Sequence, residues 1–346
     1  MQYREVGNTG IRVSEIAFGG GGNAGLMVNG APEQQLEAIE RALELGINYF
    51  DQAPDYGDGV SESNLGRALK ELGVRPYLTT KIEVREPDLG DIAGHVERSL
   101  EASLNRLGVD YVDFVQVHNG PVMHTPKLAG RSYTHLSVTD YLRPGGALEG
   151  LKRVQAAGKA RFIGFITRGN DANAARHLID TDAFNLINVS VNLINPSAAG
   201  LPKGMRTQQD WGGILEYANA HHVGAAVYSP LASWYLSDAG ASGGASHPLG
   251  YGARTPESEA IGRQQARMLG FLSKKLYPDT QADDHDLAQA ALRYVLSLEG
   301  VTSVLGGFSD AEQVAENAAA SGKGPLSEEN MARIEMVWRG NFGLKA

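Results

Sequence analysis

The sequence predicts an α/β fold, a (β/α)8 TIM barrel with long loops after strands 4 and 7 and an N-terminal strand or hairpin. Two observations predict it. Short apolar, strand-like runs alternate with stretches of helical periodicity, which implies parallel strands joined by crossover helices. Eight such units follow one another with no break in composition, so the sheet is expected to close within a single domain, residues 1–346. An open doubly wound sheet is the competing arrangement.

The elements read in order as follows. RVSEIAFGGGG is a strand, near Glu15–Phe18, running into a glycine loop. Pro32 leads into a helix over Glu33–Leu45 that closes at Gly46. Ile47–Asp51 is a strand, Ser61–Leu72 a helix starting on serine, and Tyr77–Ile82 a strand. Gly94–Gly108 carries apolar residues at helical spacing and ends on glycine. Tyr111–His118 is the fourth strand and Gly146–Lys159 its helix. Ala160–Thr167, Asn173–Thr181, Phe184–Asn192, Asp210–His222 and Val223–Pro230 continue the alternation. Ser258–Leu276 and Asp286–Leu298 are helical, and Val301–Gly307 is the last strand, with helices after it. Gly120–Gly145 and the Gly/Ser-rich Leu231–Glu257 break the rhythm. Both follow strands, so both fall on the barrel face that carries active sites, where long loops act as lids or specificity elements.

Composition narrows the function. The net charge is −9, and an acidic surface repels phosphate backbones and anionic lipid, so neither nucleic acid nor membrane is an expected partner. The chain has no cysteine, which removes disulfides, thiolate metal sites and cysteine nucleophiles. Neither a signal peptide nor an apolar run of membrane-spanning length is visible, and a reducing cytoplasm is the expected compartment. Homo-oligomerisation is compatible with the sequence, which does not specify it.

Charged or titratable residues close three neighbouring strands: Asp51 ends INYFD, Lys81 lies near the end of YLTTKI, and His118 ends FVQVH. In a barrel such ends converge on one mouth. Tyr56 follows Asp51 by five residues in the turn APDYGDG. Beside Lys81 its phenol would be made more acidic, with Asp51 holding the lysine, and would exchange a proton near neutral pH. His118 would donate a hydrogen bond to a substrate oxygen. No metal or covalent intermediate is required. Asp51 and His118 are the titratable groups placed to bind a metal, and His221, His222 and His285 lack ligand spacing, so metal catalysis is disfavoured.

D51-x-A53-x-x-Y56-G57, the following S61-E62-x-x-L65-G66-x-A68-L69, TTK81 and QVH118 resemble the aldo-keto reductases, and the resemblance runs along nearly the whole chain. It implies hydride transfer between a carbonyl or alcohol and NADP(H) or NAD(H). It also implies a catalytic set of Tyr56 as acid/base, Lys81 and Asp51 as its tuning pair, and His118 as the carbonyl-orienting group. Tyr228-Ser229-Pro230-Leu231 is similar to the family segment that stacks an aromatic ring on nicotinamide and meets pyrophosphate. Gly307, Ser309, Asp310, Gln313, Glu316 and Asn317 lie in a run similar to the family's adenosine site, with Gln313 and Asn317 on one helical face. Gly20 is expected in a glycine loop at the mouth, close to where the family binds cofactor and substrate.

The chain departs from the family pattern at three points. Thr167-Arg168 replaces the usual Ser-Asn that contacts the carboxamide, and Asn188 replaces a glutamine with a shorter reach to the same amide. No Arg or Lys follows Gly307. Asp310 would repel a 2′-phosphate and accept from a ribose hydroxyl, which leans towards tolerance of NAD(H). Tyr133, Trp234 and Tyr235 are candidate walls of the substrate pocket, and the polar loops suit a sugar or another hydroxylated carbonyl. The run Gly20-x-Gly22-x-x-Gly25, with Glu44 downstream, also matches a dinucleotide fingerprint, but LMVNGAP separates it from the helix it should open. A catalytically weak, nucleotide-binding barrel serving as a redox sensor or regulatory subunit is the other functional reading. The intact Asp51, Tyr56, Lys81 and His118 oppose it.

Overall fold

The computed structural model describes residues 1–124, 135–169, 171–245, 247–249 and 255–344. A hairpin of β1 (Tyr3–Glu5) and β2 (Arg12–Ser14) opens the chain. The barrel strands are β3 (Ile16–Gly19), β4 (Tyr49–Asp51), β5 (Tyr77–Ile82) and β6 (Val112–Val117). After a short parallel pair, β7 (Gly120–Val122) and β8 (His135–Ser137), come β9 (Ala160–Ile166), β10 (Leu186–Ser190), β11 (Gly224–Tyr228) and β12 (Val301–Gly307). Strands β3, β4, β5, β6, β9, β10, β11 and β12 form a closed ring with every neighbouring pair parallel. Closure removes the doubly wound alternative and with it the dinucleotide-fingerprint reading of Gly20–Gly25. Glu44, the acidic residue of that reading, ion-pairs with Arg41 on the surface.

Helices α1 (Leu26–Asn29) and α2 (Pro32–Glu44) follow β3, α3 (Val60–Leu72) follows β4, and α4 (Ile92–Leu107) follows β5. Then come α5 (Val138–Leu142), α6 (Ala147–Ala156), α7 (Ala172–Ile179) and α8 (Ile214–Ala220). The segment between β11 and β12 holds α9 (Asp238–Ser242), α10 (Pro256–Met268) and α11 (Leu287–Ser297), and α12 (Ala311–Ala318) and α13 (Glu328–Arg339) end the chain. None of the described helices is long and apolar enough to cross a membrane.

Alternation along the strands makes the barrel interior two-layered. Side chains two residues apart share a face, so Tyr49, Phe114 and Leu186 pack in an apolar layer, and Asp51, Gln116 and Asn188 form a polar layer above it. Val6, Ile11 and Val13 from the N-terminal hairpin join the apolar layer and close that end of the barrel. The outward faces of the strands pack with the helices in the larger core, where Phe18, Phe50, Val115, Phe165 and Val227 are fully buried. The polar layer of Asp51, Gln116 and Asn188 thereby lies towards the mouth formed by the C-terminal strand ends.

Several boundaries differ from the sequence reading for local reasons. α3 starts on Gly59 in the left-handed region (φ 88°) rather than on Ser61. The Ser61 hydroxyl instead lies 2.8 Å from the Gly20 carbonyl and 2.7 Å from the Gln52 side-chain amide, tying the first two strand ends together. Asp91 caps α4, whose first residue, Ile92, lies two residues before the expected start. α8 begins at Ile214 because Gly212 and Gly213 both take positive φ. The helix expected over Ser258–Leu276 ends at Met268 and gives way to a 3-10 turn at Gly270–Leu272. The stretch Gly120–Gly145 carries β7, β8 and α5 rather than a bare loop. Gly25 and Asn29 contact Leu249 of the segment after β11, so that segment reaches back over the first strand–helix loop.

The serine–glutamate motif that opens α3 has a structural consequence of its own. Glu62 is fully buried, accepts from Arg106 of α4 at 2.7 Å, and is hydrogen-bonded by Thr80 of β5. Gly66, one turn further on, lets α3 approach the backbone of α4, since a Cβ there would meet the Arg106 carbonyl at 2.6 Å. Replacing Glu62 with alanine leaves Arg106 and Thr80 without their shared acceptor. The expected cost is about 2–4 kcal/mol, read as a lower midpoint in urea unfolding with an unchanged slope.

Candidate active site

The strand ends bring Asp51, Lys81 and His118 to one place, and the loop after β4 adds Tyr56. Asp51 is the last residue of β4, Lys81 pairs in register with Gln116, and His118 follows β6 with its backbone N–H donating to Ile82 at 2.8 Å. The Lys81 ammonium, fully buried, donates to Asp51 Oδ1 at 2.5 Å, to the Gln52 carbonyl at 2.7 Å and to the Tyr56 hydroxyl at 3.4 Å. The His118 ring stands edge-on to the Tyr56 ring with centroids 5.9 Å apart.

Charge and burial act in opposition here. Burial alone would push the Lys81 ammonium down, but Asp51 and Tyr56 outweigh it and hold the ammonium above its ordinary value. Tyr56 responds differently from the expectation of an acidified phenol. Burial is the largest influence and raises it, Lys81 lowers it, and Asp51 and Asp55 raise it further, leaving the phenol pushed up to about 12. Tyr56 is therefore a protonated donor across neutral pH, and the ammonium only limits the rise.

Two acidic groups that the sequence reading passed over flank His118. Its Nδ1 lies 3.0 Å from Asp55 Oδ1 and 3.0 Å from Glu83 Oε2, well aligned for a hydrogen bond with neither. Glu83 stands two residues beyond Lys81, which is the signal that would have found it, because a strand's i and i+2 side chains share a face. Asp55 is adjacent to Tyr56.

The remaining predicted residues lie along the rim. Thr167 and Arg168 follow β9, Asn188 lies on β10, Tyr228 ends β11, Gly307 ends β12, and Gly20 follows β3. These elements are consecutive neighbours in the barrel and meet the Asp51 strand, so the predicted cofactor residues and the predicted catalytic residues occupy adjoining arcs. Tyr228 is partly exposed, and burial raises its phenol while Arg168 lowers it. Ser229, Ala232 and Ser233 all adopt positive φ (54°, 48° and 70°), a concentration of backbone strain in the segment that leaves β11. Pro230 is buried and Leu231 half-buried beside them.

Three residues have their groups committed otherwise than expected. Asn188 donates to Asp51 Oδ2 at 3.1 Å and accepts from Gln116 at 2.9 Å, so this short, buried amide braces Asp51 instead of reaching out of the barrel. Asp310 caps α12, accepting from Gln313 N at 2.8 Å, and Gln313 returns a bond from Ser309 N at 3.0 Å. Tyr235 is buried with its ring over Gly262 of α10, and Trp234 stacks on it at 5.4 Å with Arg263 above. Thr167 donates to the Asn188 carbonyl at 3.2 Å, and Ser309 to the Ala24 carbonyl at 2.7 Å. Asn317 is buried, with its amide close to Gly306, while Glu316 is exposed. Tyr133 lies outside the described residues.

At the mouth, Gly307 leaves bare, exposed backbone at the end of β12, a Cβ at Gly21 would come no nearer than 3.7 Å to the Tyr56 ring, and Tyr228 offers a partly exposed aromatic ring at the end of β11. Residues 15–339 match the Aldo/keto reductase family. The chain belongs to that family. The L-galactose dehydrogenase of Arabidopsis thaliana is 27% identical over 97% of this chain and 94% of its own length. The L-glyceraldehyde 3-phosphate reductase of Escherichia coli (strain K12) is 26% identical over 97% and 92%. Among solved structures, the glycerol dehydrogenase of Gluconobacter oxydans superposes with a TM-score of 0.70 at 20% identity, covering 99% of this chain and 97% of that one. As an aldo-keto reductase the chain is an NAD(P)(H)-dependent oxidoreductase that interconverts carbonyls and alcohols.

Proposed function

We propose that this aldo-keto reductase transfers hydride to or from a hydroxylated carbonyl with Tyr56 as the proton donor and acceptor, Lys81 and Asp51 as its support, and His118 orienting the carbonyl. The observation that carries the reading is the buried Asp51–Lys81–Tyr56 chain of contacts opening beside the His118 ring. A bound dinucleotide would supply the hydride in reduction and accept it in oxidation. Tyr56 gives its proton to the carbonyl oxygen in reduction and takes it back in oxidation. Lys81, fixed by Asp51 and by the Gln52 carbonyl, stabilises the phenolate formed after the transfer. Asn188 and Gln116 keep Asp51 in place.

With the phenol pushed up to about 12, the two directions should separate in pH. Reduction needs the protonated phenol, so its Tyr56-dependent rate should hold from neutral into alkaline solution. Oxidation needs the phenolate, so its rate should climb with pH over the same range. Initial rates in both directions at fixed saturating cofactor test this, and an oxidation rate flat between neutral and alkaline pH would remove Tyr56 as the base.

Residues 228–231 and 307–317 are proposed to hold the cofactor, with Tyr228 stacked on nicotinamide and the strained turn at Ser229 against the pyrophosphate. Tyr228→Ala should raise the dissociation constant of the dinucleotide by about tenfold, as expected for loss of one stacking partner, measured by fluorescence titration. The stretch 307–317 contains Asp310, Glu312 and Glu316 and no cation. The Glu316 carboxyl is raised by partial desolvation and then by the nearby charges of Asp286, Glu312 and Asp310, with Lys275 opposing them, so the surroundings of this helix are negative. A 2′-phosphate would meet that field, so NADH is expected to serve at least as well as NADPH, and a titration of the two decides it. The relatives that act on sugars and sugar phosphates, together with the Arg168 charge at the rim, favour a polyhydroxylated aldehyde or its alcohol as substrate. A cytoplasmic setting accords with the absence of cysteine.

A further inference from the structure

The contacts of His118 carry an inference beyond its place at the mouth. One ring nitrogen, Nδ1, faces two carboxylate oxygens, Asp55 Oδ1 and Glu83 Oε2, each at 3.0 Å. Two acceptor oxygens at that distance repel a nitrogen lone pair, so Nδ1 bears the hydrogen. The side chains of His118 and Glu83 are 5% and 4% exposed, so solvent does little to screen the contact, while that of Asp55 is 26% exposed towards the mouth. Among the described residues no aligned donor reaches the buried oxygens of Glu83. A neutral imidazole with its hydrogen on Nδ1 has only a lone pair at Nε2, on the opposite edge of the ring, and offers a carbonyl oxygen no donor. An imidazolium offers Nε2–H and also places a positive charge against the two carboxylates.

We infer that Asp55 and Glu83 are positioning residues that hold His118 as an imidazolium, so that the carbonyl oxygen meets a charged N–H donor at Nε2 alongside the Tyr56 hydroxyl. His118 keeps its proton throughout; it polarises the carbonyl while Tyr56 performs the transfer. The inference rests on the reading of His118 as the carbonyl-orienting group. The surrounding groups bear on the charge balance from every side. Tyr56, Lys81 and Asp51 lie on the barrel side. Arg168 acts on Asp55 from the end of β9. Tyr141, hydrogen-bonded to the Asn119 carbonyl at 2.5 Å, feels Glu83. His95 contacts the Glu83 carbonyl through Nε2 and pairs with Asp88 through Nδ1. Burial raises the Asp55 carboxyl, but the His118 contact and the charges of His118, Lys81 and Arg168 bring it below its ordinary value, so it is an anion at working pH. A divalent cation is the other species that two carboxylates and an imidazole within 4.8 Å of one another can share. The Lys81 ammonium and Arg168 guanidinium, whose charges both reach Asp55, disfavour a further dication.

The test uses the full-length enzyme. Nitrogen-15 shifts of histidine side chains, with His118 assigned by comparison with His118→Gln, are expected to show both ring nitrogens protonated at pH 7. Asp55→Asn and Glu83→Gln should each move the alkaline limb of kcat/KM for reduction down by about one pH unit, leaving the dissociation constant of the dinucleotide within about twofold. Glu83→Asp should restore part of the shift. A neutral His118 at pH 7 in the unmodified enzyme overturns the inference even if a variant fails to fold. So does a limb that stays in place in both variants, or one equivalent of divalent metal in the purified protein with activity lost to chelator. The underlying reading fails separately: a Tyr56→Phe enzyme with full turnover would sink the proton-transfer assignment while leaving the nitrogen shifts unaltered.

Discussion

Replacing Tyr56 with phenylalanine is expected to lower turnover by about 10²–10⁴-fold, the range a positioned general acid or base contributes. The substitution removes one oxygen from a ring that is partly open to the mouth and leaves the ring's packing in place. Cofactor affinity should hardly change, because Tyr56 lies on the arc of β4–β6 and the proposed dinucleotide residues lie on the arc of β9–β12. The loss should appear equally in kcat and kcat/KM, the pattern of an interaction made in the transition state. Steady-state rates with a reactive aldehyde, paired with a fluorescence titration of the dinucleotide, check both parts. A loss confined to KM would assign Tyr56 to binding.

Lys81→Met carries the second large effect, and it acts on stability as well as rate. Lys81 is the donor that Asp51 meets at 2.5 Å, and Asp51 is 2% exposed. Without the ammonium, Asp51 keeps one bond from Asn188 at 3.1 Å and stays in a buried site as an uncompensated anion. Breaking a buried pair from one side costs about 3–5 kcal/mol, which should lower the unfolding midpoint or force Asp51 to take up a proton. For catalysis, Lys81 is the group that restrains the rise of the Tyr56 phenol, now at about 12. Removing it should raise the phenol further, so alcohol oxidation at alkaline pH should fall more than carbonyl reduction at neutral pH. Measuring the two directions in parallel separates this from simple misfolding, which would lower both together. The double substitution Asp51→Asn with Lys81→Met should recover part of the stability and none of the oxidation rate.

The barrel itself was legible in the sequence. Tyr77–Ile82 and Val301–Gly307 form strands over the bounds the sequence predicts, because short runs rich in β-branched, aromatic and aliphatic residues suit a pleated strand and stand out between helical segments. The convergence of Asp51, Lys81 and His118 was legible for a related reason. A polar residue at the end of such a stretch has to face the mouth, since the apolar layer below cannot take it. Helix starts were less legible, because a serine suited to capping at Ser61 is used instead to tie Gly20 to Gln52.

What the sequence determined by itself is the order of strands and helices and the set of chemical groups brought to the barrel mouth, because periodicity and strand ends are local properties of the chain. Only the tertiary structure decided what those groups do to one another. Burial outweighs the Lys81 charge at Tyr56, Asn188 turns inward to Asp51, Asp310 caps its helix, and Asp55 and Glu83 meet on His118. Each of these outcomes is a balance of desolvation against a partner's charge or hydrogen bond, and that balance depends on distances between residues that lie far apart in the chain or on different elements.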